Sequence, residues 1–340
     1  MVKYKDGLIY AYIHFLIEVV SFYIITQYLN DEYAIFLCLL YDFMAFVPQG
    51  LMGYIVDEEI KVDFLVIGAI LSGLSLIMLW ENLNGFMVIL ILSIGNAMIH
   101  ISGAERTLRT SQGTMSNSAI FVSGGSFGLI TGKIMGMYHC PVIVLLMLNF
   151  MMLLPVGYLR KDKDNGEEYL ALYQYASTKL SVKVILVFST TVVAIRSFMG
   201  YGIPTSWNQT LFQTILLYCF MGIGKATGGI LIDHIGMKKT VILSTIGALP
   251  FLLFGDHMMY LSLIGIMLFS MTMAITLAIN VSALPHYPGI AFGFTTIGLF
   301  LGTLPMFIFR IHSTMINMII ISVLTIFSVI CLLKIINKGE

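Results

Sequence analysis

One pattern repeats almost from end to end of the chain: an apolar run of about 20 residues, a short polar break, then another apolar run. A bilayer core needs about 20 apolar residues per helix. Twelve runs meet that length or approach it, at 7–29, 34–56, 63–80, 86–108, 117–137, 141–159, 183–204, 210–232, 239–255, 258–280, 288–310 and 314–335. The runs at 63–80 and 239–255 are the shortest readings. None shows the period-two alternation of a membrane barrel strand, so each reads as a helix. Composition closes the alternatives. Of 340 residues, 58% are hydrophobic and 11% charged, whereas soluble chains carry about a quarter charged residues. A soluble enzyme, a nucleic-acid binder and a disordered chain are excluded on that ground. The formal net charge of zero points to no polyanionic partner.

The long polar stretch, Arg160 to Lys183, falls between the sixth and seventh runs and contains RKDKDNGEE. It divides the chain into a bundle at 1–159, a linker at 160–182 and a second bundle at 183–340. The predicted fold is an all-α membrane protein of twelve transmembrane helices in two six-helix bundles. Basic residues orient it. With the N-terminus inside, 14 of the 18 Lys and Arg fall on the inner side, and Arg310 alone falls on the outer side. By the positive-inside rule both termini are expected in the cytoplasm, with the chain multi-pass in the cytoplasmic membrane. The first run, about 22 residues, exceeds the ~7–15 of a signal-peptide core and reads as span 1. Cys38, Cys140, Cys219 and Cys331 lie in or beside apolar runs without a C-x-x-C pair, and read as small buried hydrophobes.

The two halves echo each other. Span 2 ends Gly53-Tyr-Ile-Val-Asp57 and span 8 ends Gly229-Ile-Leu-Ile-Asp233, 176 residues later. Span 5 carries glycines at 124, 128, 132 and 136, and span 11 at 289, 293, 298 and 302. Such small-residue stripes let helix backbones approach closely in lipid. The stretch Gly229-Ile-Leu-Ile-Asp233-His-Ile-Gly236-Met-Lys238-Lys239 resembles the major facilitator superfamily loop motif, G-x-L-x-D-x-x-G-x-[KR]-[KR]. It stands between spans 8 and 9, where that family repeats it. In the first-half copy, Asp57 is followed by Glu58-Glu59-Ile60-Lys61, with no glycine and one lysine, so its gating role is left open. Gly95-Asn96-Ala97-Met98-Ile99-His100-Ile101-Ser102-Gly103 also resembles a branch of compact bacterial facilitators. The resemblance implies two bundles that rock about a central site. It implies that spans 1, 4, 7 and 10 line the cavity, that spans 2, 5, 8 and 11 join the halves, and that spans 3, 6, 9 and 12 face outward.

An ionisable side chain at mid-membrane costs about 2.5–3.5 kcal/mol on insertion scales, so such residues mark a pathway or a partner. His14 and Glu18 are four apart on span 1 and share a helical face. They are candidates for proton coupling, with a hydrogen-bonded packing pair as the other reading. Asn96 and His100 form a second i,i+4 pair on span 4, either a cavity patch or an interhelical hydrogen bond. Arg196, halfway along span 7, suits a carboxylate or phosphate clamp through its planar fork, or an ion pair with Glu18 or Asp42. Asp42 and Lys225 are gating candidates across the interface, at different depths. Lys133 reads as snorkelling. Glu105, Arg106 and Arg109 read as an inner-gate or headgroup cluster. Asp57, Gly229, Asp233, Gly236, Lys238 and Lys239 are gate candidates. Asp233 is placed to accept hydrogen bonds from a neighbouring helix N-terminus, with a tight turn and basic anchors as the alternative.

Gly124-Gly-Ser-Phe-Gly128 matches G-x-S-x-G by letters, but that motif needs a strand, a turn and a helix. Gly224-Lys225-Ala226 lacks the Ser or Thr of a phosphate loop, and no H-E-x-x-H occurs. No metal or other cofactor is expected. The expected function is secondary transport of a small solute by alternating access, proton-coupled, with an organic anion as the substrate class that Arg196 suggests. The expected partners are the solute, protons and the lipid bilayer; no nucleic acid is expected, and the chain reads as a monomer. A nontransporting sensor or assembly protein and an intramembrane enzyme are the alternatives.

Overall fold

The computed structural model describes residues 4–58, 62–156, 172–308 and 313–336. The RKDKDNGEE segment, Lys61 and Arg310 lie outside the described residues. Every apolar run is helical. Ten helices, some in two pieces, are long and apolar enough to cross a membrane: Lys5–Gln27, Ala34–Asp57, Gly85–Thr110, Ser116–Met137, Val182–Gly202, Leu211–Ile235, Met237–Phe254, Met259–Ala283, Pro288–Ile308 and Thr314–Ile335. Two shorter apolar helices, Phe64–Trp80 and Val142–Met151, complete the twelve. They are numbered as spans 1 to 12 in chain order. Odd spans begin, and even spans end, at one face, here the near face, which carries Lys5, Asp57, Ser116, Asp233 and Ile335. The opposite end is the far face.

Three spans are broken where the sequence reading has them continuous. Span 2 runs as Ala34–Phe46 and Gln49–Asp57. Pro48 between them lacks an N–H and cannot continue the ladder. Side chains reach carbonyls at the break. Gln49 Nε2 donates to Ala45 O at 2.6 Å, and Thr296 Oγ1 of span 11 donates to Phe46 O at 3.0 Å. Span 9 is split into Met237–Ser244 and Leu249–Phe254, with Pro250 in the first turn of the second piece. Span 10 is interrupted at Met271, between Met259–Ser270 and Thr272–Ala283. Span 6, read as 141–159, is a regular helix only to Met151 and continues as turns over 152–155. Pro155 accounts for the early end, since a residue before proline is pushed out of the helical region.

Span 1 is largely buried from Ile13 to Ile25, with Ile13, Leu16, Ile17, Val19, Val20 and Ile24 in the core, while Leu8 and Tyr12 nearer its start are exposed. A helix apolar all round belongs at a bundle centre. Its closest neighbour is span 5. A Cβ on Gly124, Gly128 or Gly132 would run into the carbonyls of Ala11, Phe15 and Val19, so the glycine stripe is what allows span 5 to lie against the span 1 backbone. Spans 2 and 11 meet through Gly53 against Gly289 and Gly50 against Gly293, and spans 5 and 8 meet through Gly229 against Met115 and Ala119. These are the junctions between the first and last six spans. Gly298 and Gly302 face span 7 instead.

The described end of the linker crosses the near face as a strap. Tyr173 Oη donates to Leu108 O at 2.9 Å, Tyr175 Oη to Gly113 O at 3.0 Å, and Ser177 N to Ile335 O at 2.7 Å. Tyr175 N also donates to Ser282 Oγ at 3.0 Å. One segment is thus bonded to the end of span 4, the loop after it, span 10 and span 12. Burial raises the Tyr173 hydroxyl above its usual range, so it stays a neutral donor.

Candidate functional site

At the near face two carboxylates tie the first and last six spans together in equivalent ways, here called latches. Asp57, at the end of span 2, accepts from Gly289 N and Ile290 N at the start of span 11, both at 2.9 Å. Asp233, at the end of span 8, accepts from Met115 N at 2.8 Å and Ser116 N at 2.9 Å at the start of span 5, and from the Ser116 hydroxyl. The first N–H groups of a helix have no intrahelical partner and carry the positive end of its dipole, so a carboxylate there is doubly favoured. The first-half motif copy, whose role the sequence left open, makes the same bonds as the second. Arg109 reinforces it, bonded to Glu105 with Nη2 3.7 Å from Asp57 Oδ1. This places Glu105 and Arg109 in the near-face junction. Gly236 turns the chain from span 8 into span 9 at φ 86°, a left-handed value that a side chain resists. Lys238 and Lys239 stay exposed and make no ion pair among the described residues.

Deeper in the first six spans, the two separately predicted pairs form one cluster. Glu18 and His100 are each 7% exposed and Asn96 is fully buried. Three side-chain nitrogens converge on Glu18 Oε1: Asn96 Nδ2, which donates at 3.0 Å, His100 Nε2 at 3.0 Å and His14 Nε2 at 3.9 Å. Asn96 Nδ2 also reaches Ser21 Oγ at 3.1 Å. His14 Nδ1 lies 2.9 Å from Phe121 O, and a carbonyl only accepts, so Nδ1 carries the hydrogen. The two imidazoles meet edge to face, 4.3 Å between centroids. Span 5 makes room, because a Cβ on Gly125 would strike the His14 ring and one on Gly128 would come within 2.8 Å of Glu18 Cβ.

Gln49, just after the span 2 break, sets the state of His100. Its Nε2 is identified by the bond to Ala45 O, and its second hydrogen points toward His100 Nδ1 at 3.5 Å. In the neutral ring Nδ1 then accepts and Nε2 bears the hydrogen. His100 Nε2 is off the line of an ideal hydrogen bond to Glu18, although the 3.0 Å separation is that of an ion pair. His14, Glu18 and His100 have donor atoms within 4.8 Å of one another, a spacing that also admits a metal ion. Ligation needs a free lone pair on His100 Nε2. In the tautomer where Gln49 donates to Nδ1, Nε2 carries a hydrogen and offers no such lone pair. Gln49, Ser21 and the Phe121 carbonyl were absent from the sequence reading. Gln49 carried a signal, as an amide in the middle of an apolar span beside a proline.

Arg196 and Lys225 occupy a different place. They line a cavity of about 450 Å³ walled by spans 7, 8, 10 and 11, with Tyr201, Thr205, Met221 and Phe269 among its lining. The Arg196 guanidinium lies 3.9 Å above the Phe269 ring centroid, a cation–π contact. Among the described residues no carboxylate lies within 4.0 Å of Arg196 or Lys225. The ion pair of Arg196 with Glu18 or Asp42, and that of Asp42 with Lys225, are therefore not formed. Asp42 is half-buried and acts electrostatically on Tyr201 of span 7. Tyr201 also lines a larger cavity of about 1040 Å³ at the far face, between the outer ends of spans 1, 2, 7, 11 and 12. Asn96 and His100 line neither of these two cavities. Their partner is Glu18. Both cavities lie away from the latched near face.

The letter matches fall away on structure. Gly124–Gly128 lies in the continuous helix Ser116–Met137. Asn280, a sequon by letters, is fully buried and bonded to Ser189 and to Thr295 Oγ1 at 3.2 Å.

No family model matches the chain, and no curated protein matches it by sequence. Solved structures do match. The E. coli fucose:proton symporter FucP superposes with a TM-score of 0.67 over 98% of this chain and 99% of that chain, at 13% identity. A second structure of FucP, a major facilitator superfamily transporter in the outward conformation, gives 0.56 over 95% of this chain and 99% of that chain, at 12% identity. With twelve helical spans, paired latches on spans 2 and 8, and these superpositions over nearly the whole length, the chain has the major facilitator superfamily fold.

Proposed function

We propose that the chain is a secondary transporter that moves a small organic anion together with protons by alternating access. The observation that carries this reading is the pairing of two sites. One is a cavity with two cations that no carboxylate within 4.0 Å neutralises. The other is a buried carboxylate shared by two histidines, nearby in the first six spans. Glu18 and His14 are assigned the coupling proton, with His100 and Asn96 holding Glu18 in place. Arg196 binds the anion. The latches at Asp57 and Asp233 close the near face, which the inner bias of basic residues assigns to the cytoplasm of an inner-membrane protein. In this state the cavities face outward. The solved relative's printed name, a fucose:proton symporter, supports the proton as the driving ion.

The test is thermal stabilisation of the purified chain by a panel of carboxylates, phosphates and neutral sugars at two pH values. Binding raises apparent stability by mass action. The proposal expects an anionic hit that is stronger at the lower pH, and that loses its pH dependence in Glu18→Gln. A neutral sugar hit unaffected by Arg196→Gln would overturn the anion assignment.

A further inference from the structure

The proposed function leaves the number and placement of the substrate's charges open, and the Arg196–Lys225 cavity speaks to both. Its cations come from different walls, Arg196 from span 7 and Lys225 from span 8. Like charges brought together in a water-poor space are costly unless something of opposite sign joins them. The carboxylate that acts on Lys225 is Glu18, whose Oε1 is already held at 3.0 Å by both Asn96 and His100. Among the described residues it lies more than 4.0 Å from either cation and forms no ion pair with them. Arg196 lies over the Phe269 ring, and its planar guanidinium is the side chain best suited to a planar oxyanion. The wall between is apolar at Leu217, Met221 and Ile266, with Tyr201 and Thr205 supplying hydroxyls toward the far side. A volume of about 450 Å³ lies within the ordinary range of small-ligand sites.

We infer that this cavity takes a small dicarboxylate, with one carboxylate on Arg196, the other on Lys225 and a short apolar chain between them. The inference rests on the transport reading above and narrows its substrate. A monoanion leaves one cation without a partner. A neutral sugar leaves both. A phosphomonoester gathers both charges on one group and makes no use of the apolar lining at Leu217, Met221 and Ile266.

The test compares succinate and adipate with their half-amides, their diamides and a phosphomonoester of similar length, by calorimetric binding to the full-length protein in detergent. The inference expects one of the dicarboxylates to bind at least tenfold tighter than its half-amide, and the diamide not to bind. It expects Lys225→Gln to bring the dicarboxylate down to the half-amide level while changing half-amide affinity less than threefold. Lys225→Arg should retain most of the dicarboxylate affinity, and unliganded melting temperatures identify any variant that fails to fold. Equal affinity for dicarboxylate and half-amide overturns the two-point inference and leaves anion transport standing. Preference for the phosphomonoester also overturns it. Binding of neutral compounds alone, with no anion bound, overturns the inference and the anion assignment together.

Discussion

Replacing Asp57 by Asn keeps the shape of the first latch and removes its charge. The carboxylate accepts two main-chain N–H groups at 2.9 Å each, and its side chain is fully buried, so water screens little of the interaction. Hydrogen bonds to a charged group contribute about 1.5–3 kcal/mol each, and the helix terminus adds about 0.3–1 kcal/mol. Asn offers one acceptor oxygen. Its amide confronts the second N–H, and the charge that faces Arg109 is gone. The closed near face should lose about 2–4 kcal/mol relative to an open one, and at about 1.4 kcal/mol per tenfold the closed-to-open ratio falls at least about thirtyfold. Spin labels on cysteines at Tyr54 and Tyr287, both exposed beside the junction, report it. The four native cysteines form no disulfide and can be replaced. Pulsed electron resonance should show one short distance in the parent and an added longer population in Asp57→Asn. Asp233→Asn, read across spans 5 and 8, should respond by a similar amount. A distance distribution unchanged by Asp57→Asn would refute the latch and return the first motif copy to a plain turn.

Three further outcomes follow from the same geometry. Gly128→Val should prevent assembly of the first six spans, because its Cβ alone meets Phe15 O and Glu18 Cβ; overpacking of this kind costs about 1–3 kcal/mol or more, and the check is loss of the monodisperse peak in gel filtration. Glu18→Gln should keep the melting temperature within a few degrees and abolish flux driven by a pH gradient, since an amide still fits beside Asn96 and His100 but carries no proton; gradient-driven flux at the parent rate would remove Glu18 from the coupling role. At the far face, burial opposes ionisation of Asp256, but hydrogen bonds from Ser206 outweigh it and hold the carboxyl below its ordinary value. Its contribution is then present above the unfolded-state pKa and lost as pH falls through the folded one. Hydrogen exchange in the 205–209 loop should rise in acid in the parent and be high at all pH in Asp256→Ala.

The spans were legible because a bilayer imposes a length on each apolar run, which can be read without any knowledge of packing. Asp233 was legible as a latch because its surrounding motif is nearly complete. Asp57 was named as a candidate with its role left open, since the residues that follow it are unlike the pattern. The cluster at Glu18 was seen only as two separate pairs. Spacing along one helix fixes which residues share a face, but the rotation that turns span 1 toward span 4 depends on glycines of span 5 and on the break at Pro48, which brings Gln49 to His100. For the same reason Phe269 beneath Arg196 could not be read from the chain, where it is one aromatic among many.

The central claim is that anion and proton move together through this fold. Proteoliposomes with an internal pH-sensitive dye test it most directly, with a dicarboxylate gradient imposed and the membrane potential clamped. The account predicts internal acidification that follows the dicarboxylate inward, absent in Glu18→Gln and in Arg196→Gln. Dicarboxylate uptake with no proton movement, or proton movement unaltered by both substitutions, would contradict it.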